Sequence, residues 1–195
     1  MKDPCMDDRI AISRLKQADF KALEILVHRY QVQAVQAAYL IVRDRVLAED
    51  IAQNAFLKAA EHIHQFDEER PYGPWFYRIV VNDAVKLAKK QKRTVSLDEQ
   101  LDERVTQTAA WLQDPSLPPE QQIEQAELRT VILDAMQTLL PEQRAVIVMR
   151  YFLDMSEADM SVRMDRPLST IKWWLREARK RLRSRMRASQ FEDGS

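Results

Sequence analysis

Residues 155–187 read MSEADMSVRMDRPLSTIKWWLREARKRLRSRMR. Two helical stretches, Met155–Met164 and Leu168–Arg187, flank Asp165-Arg166-Pro167. Two short helices around a turn of this length fit a helix-turn-helix. In the second, Leu168, Ile171, Leu175, Ala178, Leu182 and Met186 follow one another at steps of three or four and form one apolar stripe. At about 100° per residue, Lys172, Arg176, Lys180, Arg183 and Arg187 fall on the opposite side with Ser169 and Trp173. A tryptophan displayed among cations suits a helix in a major groove, where cations meet phosphates and apolar atoms meet thymine methyls. A solvated basic face on an ordinary bundle helix is the other reading of the same residues. Trp174 flanks the stripe and belongs with the core.

Working outward, the same period dominates the whole chain. It places helices near 8–16, 19–43, 46–64, 74–92, 119–139, 142–152, 156–164 and 168–187. Asp19, Asp44 and Ser156 stand where N-caps belong, Pro141 suits a first helical turn, and Pro71 and Pro74 break the chain between the third and fourth helices. Only two glycines occur in 195 residues, which argues against hairpin-rich β folds and glycine-rich phosphate loops. The single cysteine, Cys5, rules out an intrachain disulfide framework. No apolar run reaches the ~18 residues of a membrane span and no signal peptide opens the chain, so a cytoplasmic setting is expected.

Net charge is zero, but it is segmented. Residues 1–93 carry +3, residues 94–129 carry −6 and residues 130–195 carry +3. The expected fold is all-α: a helical domain over 1–93, an acidic Pro-containing linker over 94–119, and a helix-turn-helix domain over 120–195.

Two further helices carry information. In 74–92 the apolar arc is Phe76, Tyr77, Val80, Val81, Ala84, Leu87 and Ala88. The remaining arc holds Trp75, Arg78, Asn82, Lys86 and Lys89. An aromatic ring, an arginine, an amide and two lysines in one stripe can stack on unpaired bases, bond their edges and hold the backbone. Equally, Trp75 can staple the Pro71–Pro74 loop while the cations are merely solvated. In 46–64, Leu47, Ile51, Ala52, Ala55, Phe56, Ala59 and Ile63 form the core arc. The other side shows Glu49, Asp50, Gln53 and Leu57: an ordinary exposed leucine, or the anchor of a docking patch.

Three segments together resemble one family. The run 44–56, DRVLAEDIAQNAF, resembles the second conserved region of bacterial sigma factors. The run 74–82, PWFYRIVVN, is similar to that region's promoter-melting helix. The runs 140–146 (LPEQRAV), 167–172 (PLSTIK) and 178–183 (ARKRLR) resemble the fourth region. In this order, and with a short acidic linker, they resemble the extracytoplasmic-function (ECF) group. The resemblance implies a subunit that binds core RNA polymerase and directs it to promoters. It implies that Glu49, Asp50, Gln53 and Leu57 dock on the largest catalytic subunit. Trp75, Arg78, Asn82, Lys86 and Lys89 would hold the single-stranded −10 element, and the Gln65–Gly73 loop would take a flipped base. Ser169, Thr170, Lys172, Trp173, Arg176, Arg179 and Lys180 would read the −35 duplex. It further implies an anti-sigma partner, often membrane-bound, and no cofactor. Two positions depart from the family pattern. Asp165 stands where the turn commonly has glycine, and Trp173-Trp174 replaces a small residue plus arginine, so base contacts should differ.

Other classes fit less of the chain. His62 and His64 are two apart and diverge on a helix, and His28 is isolated, so no metal site or catalytic histidine is expected. Neither a nucleophile elbow nor a phosphate loop occurs, so no enzyme is expected. A helix-turn-helix regulator that does not replace the sigma subunit would explain 155–187, but not the Trp75 stripe or the Leu57 patch.

Overall fold

A computed structural model describes residues 4–95 and 130–192. Their helices are α1 (Pro4–Lys16), α2 (Leu23–Val42), α3 (Arg45–Glu61), α4 (Tyr72–Val95), α5 (130–137), α6 (Pro141–Ile147), α7 (Glu157–Met164) and α8 (Leu168–Glu192). Short 3₁₀ turns, Phe20–Ala22 and Ile63–Gln65, precede α2 and follow α3. Among the described residues there is no strand, and no helix is long and apolar enough to cross a membrane. The expected linker falls almost wholly outside the described residues; its first two positions, Thr94 and Val95, are still part of α4.

Local chemistry sets these boundaries. Asp19 caps the 3₁₀ turn that leads into α2, accepting from the Lys21 amide at 3.2 Å. Asp44 caps α3 through the Leu47 amide at 3.0 Å, and Ser156 caps α7 through the Asp159 amide at 3.1 Å. Pro141 occupies the first turn of α6. Pro74 does not break the chain as expected: it lies in the first turn of α4, which starts at Tyr72. The first turn of a helix has no intrahelical use for the missing N–H, so proline costs nothing there. The expected helix 142–152 is α only to Ile147 and continues as a π-type turn over Val148–Phe152.

The N-terminal half is a bundle in which α2, α3 and α4 pack on one another, with α1 against α2. Ala34, Ala37, Ala38, Ala48, Ala52, Ala55 and Ala59 are buried, and small side chains let α2 and α3 approach closely. An aromatic cluster fills the other side of the core. Phe76 is fully buried, stacked on Phe56 at 4.4 Å between centroids, and Tyr72 and Tyr30 close round it.

In the C-terminal half, α8 packs on α6 and α7. Met149, Met160, Ile171 and Leu175 form its centre. Gln143 is buried, and its Oε1 accepts from the Leu140 amide at 3.1 Å and from Arg181 of α8 at 3.2 Å. The turn residue Asp165 sits at φ 50°, ψ 54°, the left-handed conformation. An aspartate tolerates this better than most residues, so no glycine is needed. The Arg166 amide then bonds to the Ser161 carbonyl at 3.1 Å and closes the corner. Leu168, the first rung of the expected stripe, is 40% exposed because it opens α8 at the edge of the contact with α7.

The halves meet along α2, α4, α6 and α7. Arg43 donates to the Leu133 carbonyl at 2.6 Å, Arg163 to the Pro74 carbonyl at 2.6 Å, and Lys89 pairs with Glu142 at 2.6 Å. Arg43 and Arg144 are half-buried at this seam, and Nε of each is shielded from solvent with no hydrogen-bond partner among the described residues. Burial, with the Arg43 charge nearby, pushes the Arg144 guanidinium down to about 10. The one carboxylate that pulls on it, Glu142, is shared with Lys89, and an apolar side chain of similar volume often does better than an incompletely paired cation at a packed seam. Arg144→Met is therefore expected to stabilise the chain by about 1 kcal/mol. Calorimetry checks this; a lower melting temperature would mean the guanidinium has a compensating partner.

Candidate nucleic-acid interface

The cationic face of α8 is presented outward. Ser169, Lys172, Arg176, Arg179 and Lys180 are exposed, Thr170 is half-buried, and Trp173 is 50% exposed, while Trp174 packs against the core. Beyond Trp173 the face deepens into a trough of about 670 Å³ lined by Arg176, Arg179, Lys180, Arg183, Ser184 and Arg187. This row of guanidinium and ammonium groups suits a phosphate backbone. Arg179 is steadied by its own helix, donating from Nε to the Leu175 carbonyl at 3.1 Å.

On α4, Arg78, Asn82, Lys86 and Lys89 are exposed. Trp75 is half-buried: it packs on Phe66 at 5.1 Å and on Tyr72 at 5.6 Å. It thus does staple the loop, and it also lines a cleft of about 660 Å³ together with Arg78. The far wall of that cleft comes from the C-terminal half, including Met155, Val162 and Arg163. Burial, aided by the nearby Arg78 and Arg70 charges, lowers the Arg163 pKa against the pull of Asp159. Beside the loop 66–71 lies a second hollow of about 380 Å³, walled by Asp8, Arg29, Tyr30, Tyr72 and Gly73 among others. Burial pushes the phenols of Tyr30, Tyr72 and Tyr77 far above their ordinary range, so all three stay neutral. The Tyr72 hydroxyl has no hydrogen-bond partner among the described residues.

The acidic patch of α3 belongs to a larger surface than the sequence suggested. Asp50 and Gln53 are exposed and Leu57 is 58% exposed; Glu49 is half-buried and paired with Arg45 at 2.9 Å. Glu49, Gln53 and Leu57 form one wall of a groove of about 670 Å³. The other wall is α2: Leu23, Val27, Gln31, Val32 and Val35, with Val32 itself 65% exposed. Asp50 stands outside the groove lining. The α2 wall was missed by sequence reasoning. Its one signal is Val32, an apolar residue that the bundle does not bury.

His28, His62 and His64 are exposed. Among the described residues, no cluster of three or more His, Cys, Asp or Glu side chains could hold a metal ion.

Comparison with known proteins agrees with the two helical halves of the fold. Residues 26–94 match the family model for Sigma-70 region 2 and residues 129–182 that for Sigma-70 region 4. These are the two modules of a sigma-type transcription initiation factor. The chain is 30% identical over 178 residues to the ECF RNA polymerase sigma factor SigW of Bacillus subtilis, covering 90% of this chain and 95% of that one. It is 28% identical to the ECF RNA polymerase sigma-E factor of Haemophilus influenzae, covering 93% and 96%. The chain belongs to the ECF sigma factors of RNA polymerase. In fold it is similar to CnrH, solved in complex with the cytosolic domain of CnrY (TM-score 0.64, 20% identity, 93% of this chain and 98% of that chain). It is also similar to the sigma factor RpoE of Bartonella quintana, solved with the anti-sigma factor NepR (TM-score 0.60, 21% identity, 87% and 97%).

Proposed function

We propose that this sigma factor docks on core RNA polymerase through the α2–α3 groove, holds the opened −10 strand along α4, and reads the −35 duplex with α8. One observation carries the reading: a single chain bears an apolar groove rimmed by Glu49, Gln53 and Leu57 and two separate cationic faces, on α4 and α8. A regulator that leaves the sigma subunit in place needs only the last of these. On α4, Arg78, Asn82, Lys86 and Lys89 supply the backbone and base-edge contacts, and the exposed half of Trp75 offers a stacking surface. Of the expected Gln65–Gly73 loop, Gln65 ends a 3₁₀ turn and Tyr72 and Gly73 open α4; the remaining loop, 66–71, with the hollow beside it, would take a flipped base. In the described arrangement Lys89 is held by Glu142 and the Trp75 cleft faces α7. Full engagement of the strand exchanges that ion pair for a phosphate. On α8, Lys172, Trp173 and Arg176 face base edges, with Ser169, Thr170, Arg179 and Lys180 toward the backbone. The chain acts in the cytoplasm, without a cofactor and without catalysis of its own. An anti-sigma protein holds it inactive, a reading supported by the Bartonella quintana neighbour, solved with the anti-sigma factor NepR.

Run-off transcription from a promoter library with core polymerase tests the proposal. This chain alone should confer specific initiation; dependence on another sigma factor would refute the reading. Lys172→Ala and Arg176→Ala should each cost ~1–3 kcal/mol on the −35 duplex, leaving core binding intact. Equal losses on promoter and scrambled duplex would reassign the residue to phosphate positioning.

A further inference from the structure

The loop 66–71 is anchored at its start by the buried Phe66 ring, which packs on Tyr72 and Trp75, but beyond Phe66 it has little of its own to hold it in place. Its only internal ties are the Asp67 turn, in which Oδ1 accepts from the Glu69 amide at 3.1 Å and the carbonyl from the Arg70 amide at 3.0 Å, and an Arg70–Asp67 ion pair at 3.3 Å. Its start, however, is tied directly to α1, and the first turn of α4, into which it runs, is tied to α1 through Tyr30 of α2. At the start, Lys16 Nζ donates to the Phe66 carbonyl at 2.9 Å and pairs with Glu68 at 2.8 Å. At the finish, Gly73 lies against the Tyr30 ring, so close that a Cβ there would sit 3.1 Å from Tyr30 Cε1. The Tyr30 hydroxyl donates to the Asp8 carboxylate, whose other oxygen is paired with Arg29. Asp8 is buried, and Lys16 is three-quarters covered. α1 precedes residue 26, where the match to the region 2 model begins, whereas the loop lies within that match.

We infer that α1 is a brace for the loop, with Lys16 and Asp8 as positioning residues for reading of the −10 strand. The inference rests on the proposed role of the loop. Lys16 has two effects. It fixes the loop's entry through two charge-assisted hydrogen bonds. It also neutralises Glu68 in a segment, Asp67-Glu68-Glu69, whose charge would repel a phosphate backbone. Asp8 fixes the exit by keeping the Tyr30 ring pressed on Gly73, which sets where α4 begins and where Trp75 points.

The test uses holoenzyme assembled from the full chain and core polymerase, on the strongest promoter from the run-off library, substituted singly through the −10 element. The ratio of initiation on the parent to that on each substituted template measures base discrimination. Lys16→Met should lower the largest of these ratios roughly tenfold, equivalent to about 1.4 kcal/mol. It should speed amide exchange at 68–73 and leave holoenzyme assembly and −35 affinity unchanged. Lys16→Arg, which keeps both donors, should restore the ratios; Asp8→Asn, which keeps an acceptor for Tyr30, should fall less than Asp8→Ala. A loop variant, Glu69→Gly with Arg70→Gly, serves as the control. If the control lowers discrimination and Lys16→Met does not, the brace is overturned while the loop's role stands. If neither lowers it, the loop's role falls and the brace with it.

Discussion

Phe76→Ala is expected to cost the N-terminal bundle about 3–5 kcal/mol. Phe76 has no exposed surface, and its ring stacks on Phe56 at 4.4 Å and on Tyr72 at 5.7 Å, with Tyr30 at 6.0 Å and Tyr77 at 5.6 Å. Truncation removes the ring's transfer free energy and leaves a cavity that four aromatic neighbours are too rigid to fill. A domain of this size holds only about 5–15 kcal/mol in total, so much of its margin goes. Each kcal/mol shifts the melting temperature of a small domain by roughly 4–8 °C, which circular dichroism resolves easily. A loss below about 1 kcal/mol would show that α4 does not seat this ring in the core. The consequence reaches the proposed −10 contact, because the face of α4 turned away from Phe76 carries Arg78, Asn82 and Lys86.

Leu57→Asp and Asp50→Arg are expected to break holoenzyme assembly without touching stability. Both side chains are exposed, so the folded chain loses nothing by their replacement. Leu57 is the most outward apolar group on the α3 wall of the groove, and a carboxylate there must be desolvated on docking. Asp50, just outside the lining, reverses the rim charge when replaced by arginine. An anchor of this kind is worth at least ~2 kcal/mol, so retention on core polymerase should fall about 30-fold or more for Leu57→Asp. Co-purification with core polymerase and surface plasmon resonance measure it. Wild-type retention of both variants, with unchanged melting, would move the docking surface away from this groove.

Much of the candidate site's geometry was legible because it rests on helical period and local caps. Arg78, Asn82 and Lys86 share one side of α4, and Lys172, Trp173 and Arg176 one side of α8, because 3.6 residues make a turn whatever the helix packs against. Asp44, Ser156 and Asp165 act on amides and carbonyls within five residues of themselves, so their roles are visible without the rest of the molecule. Trp75 was ambiguous for a physical reason. Whether an aromatic ring at a helix start turns toward solvent or toward a loop depends on what the loop offers, here Phe66 and Tyr72. The α2 wall of the groove was hidden because half-buried Val27 and Val35 and exposed Val32 follow no distinguishing period on an alanine-rich helix.

By itself the amino-acid order determined the helices, their caps, the left-handed corner at Asp165 and the two outward cationic faces, since each follows from interactions within about one turn. Only tertiary packing decided that Arg43 reaches Leu133 across 90 residues, that Lys89 is held by Glu142, and that Lys16 grips Phe66 from 50 residues away. Such pairings depend on how the bundle brings distant segments together to bury its apolar faces, and no local pattern in the chain encodes which polar groups then meet at the seam.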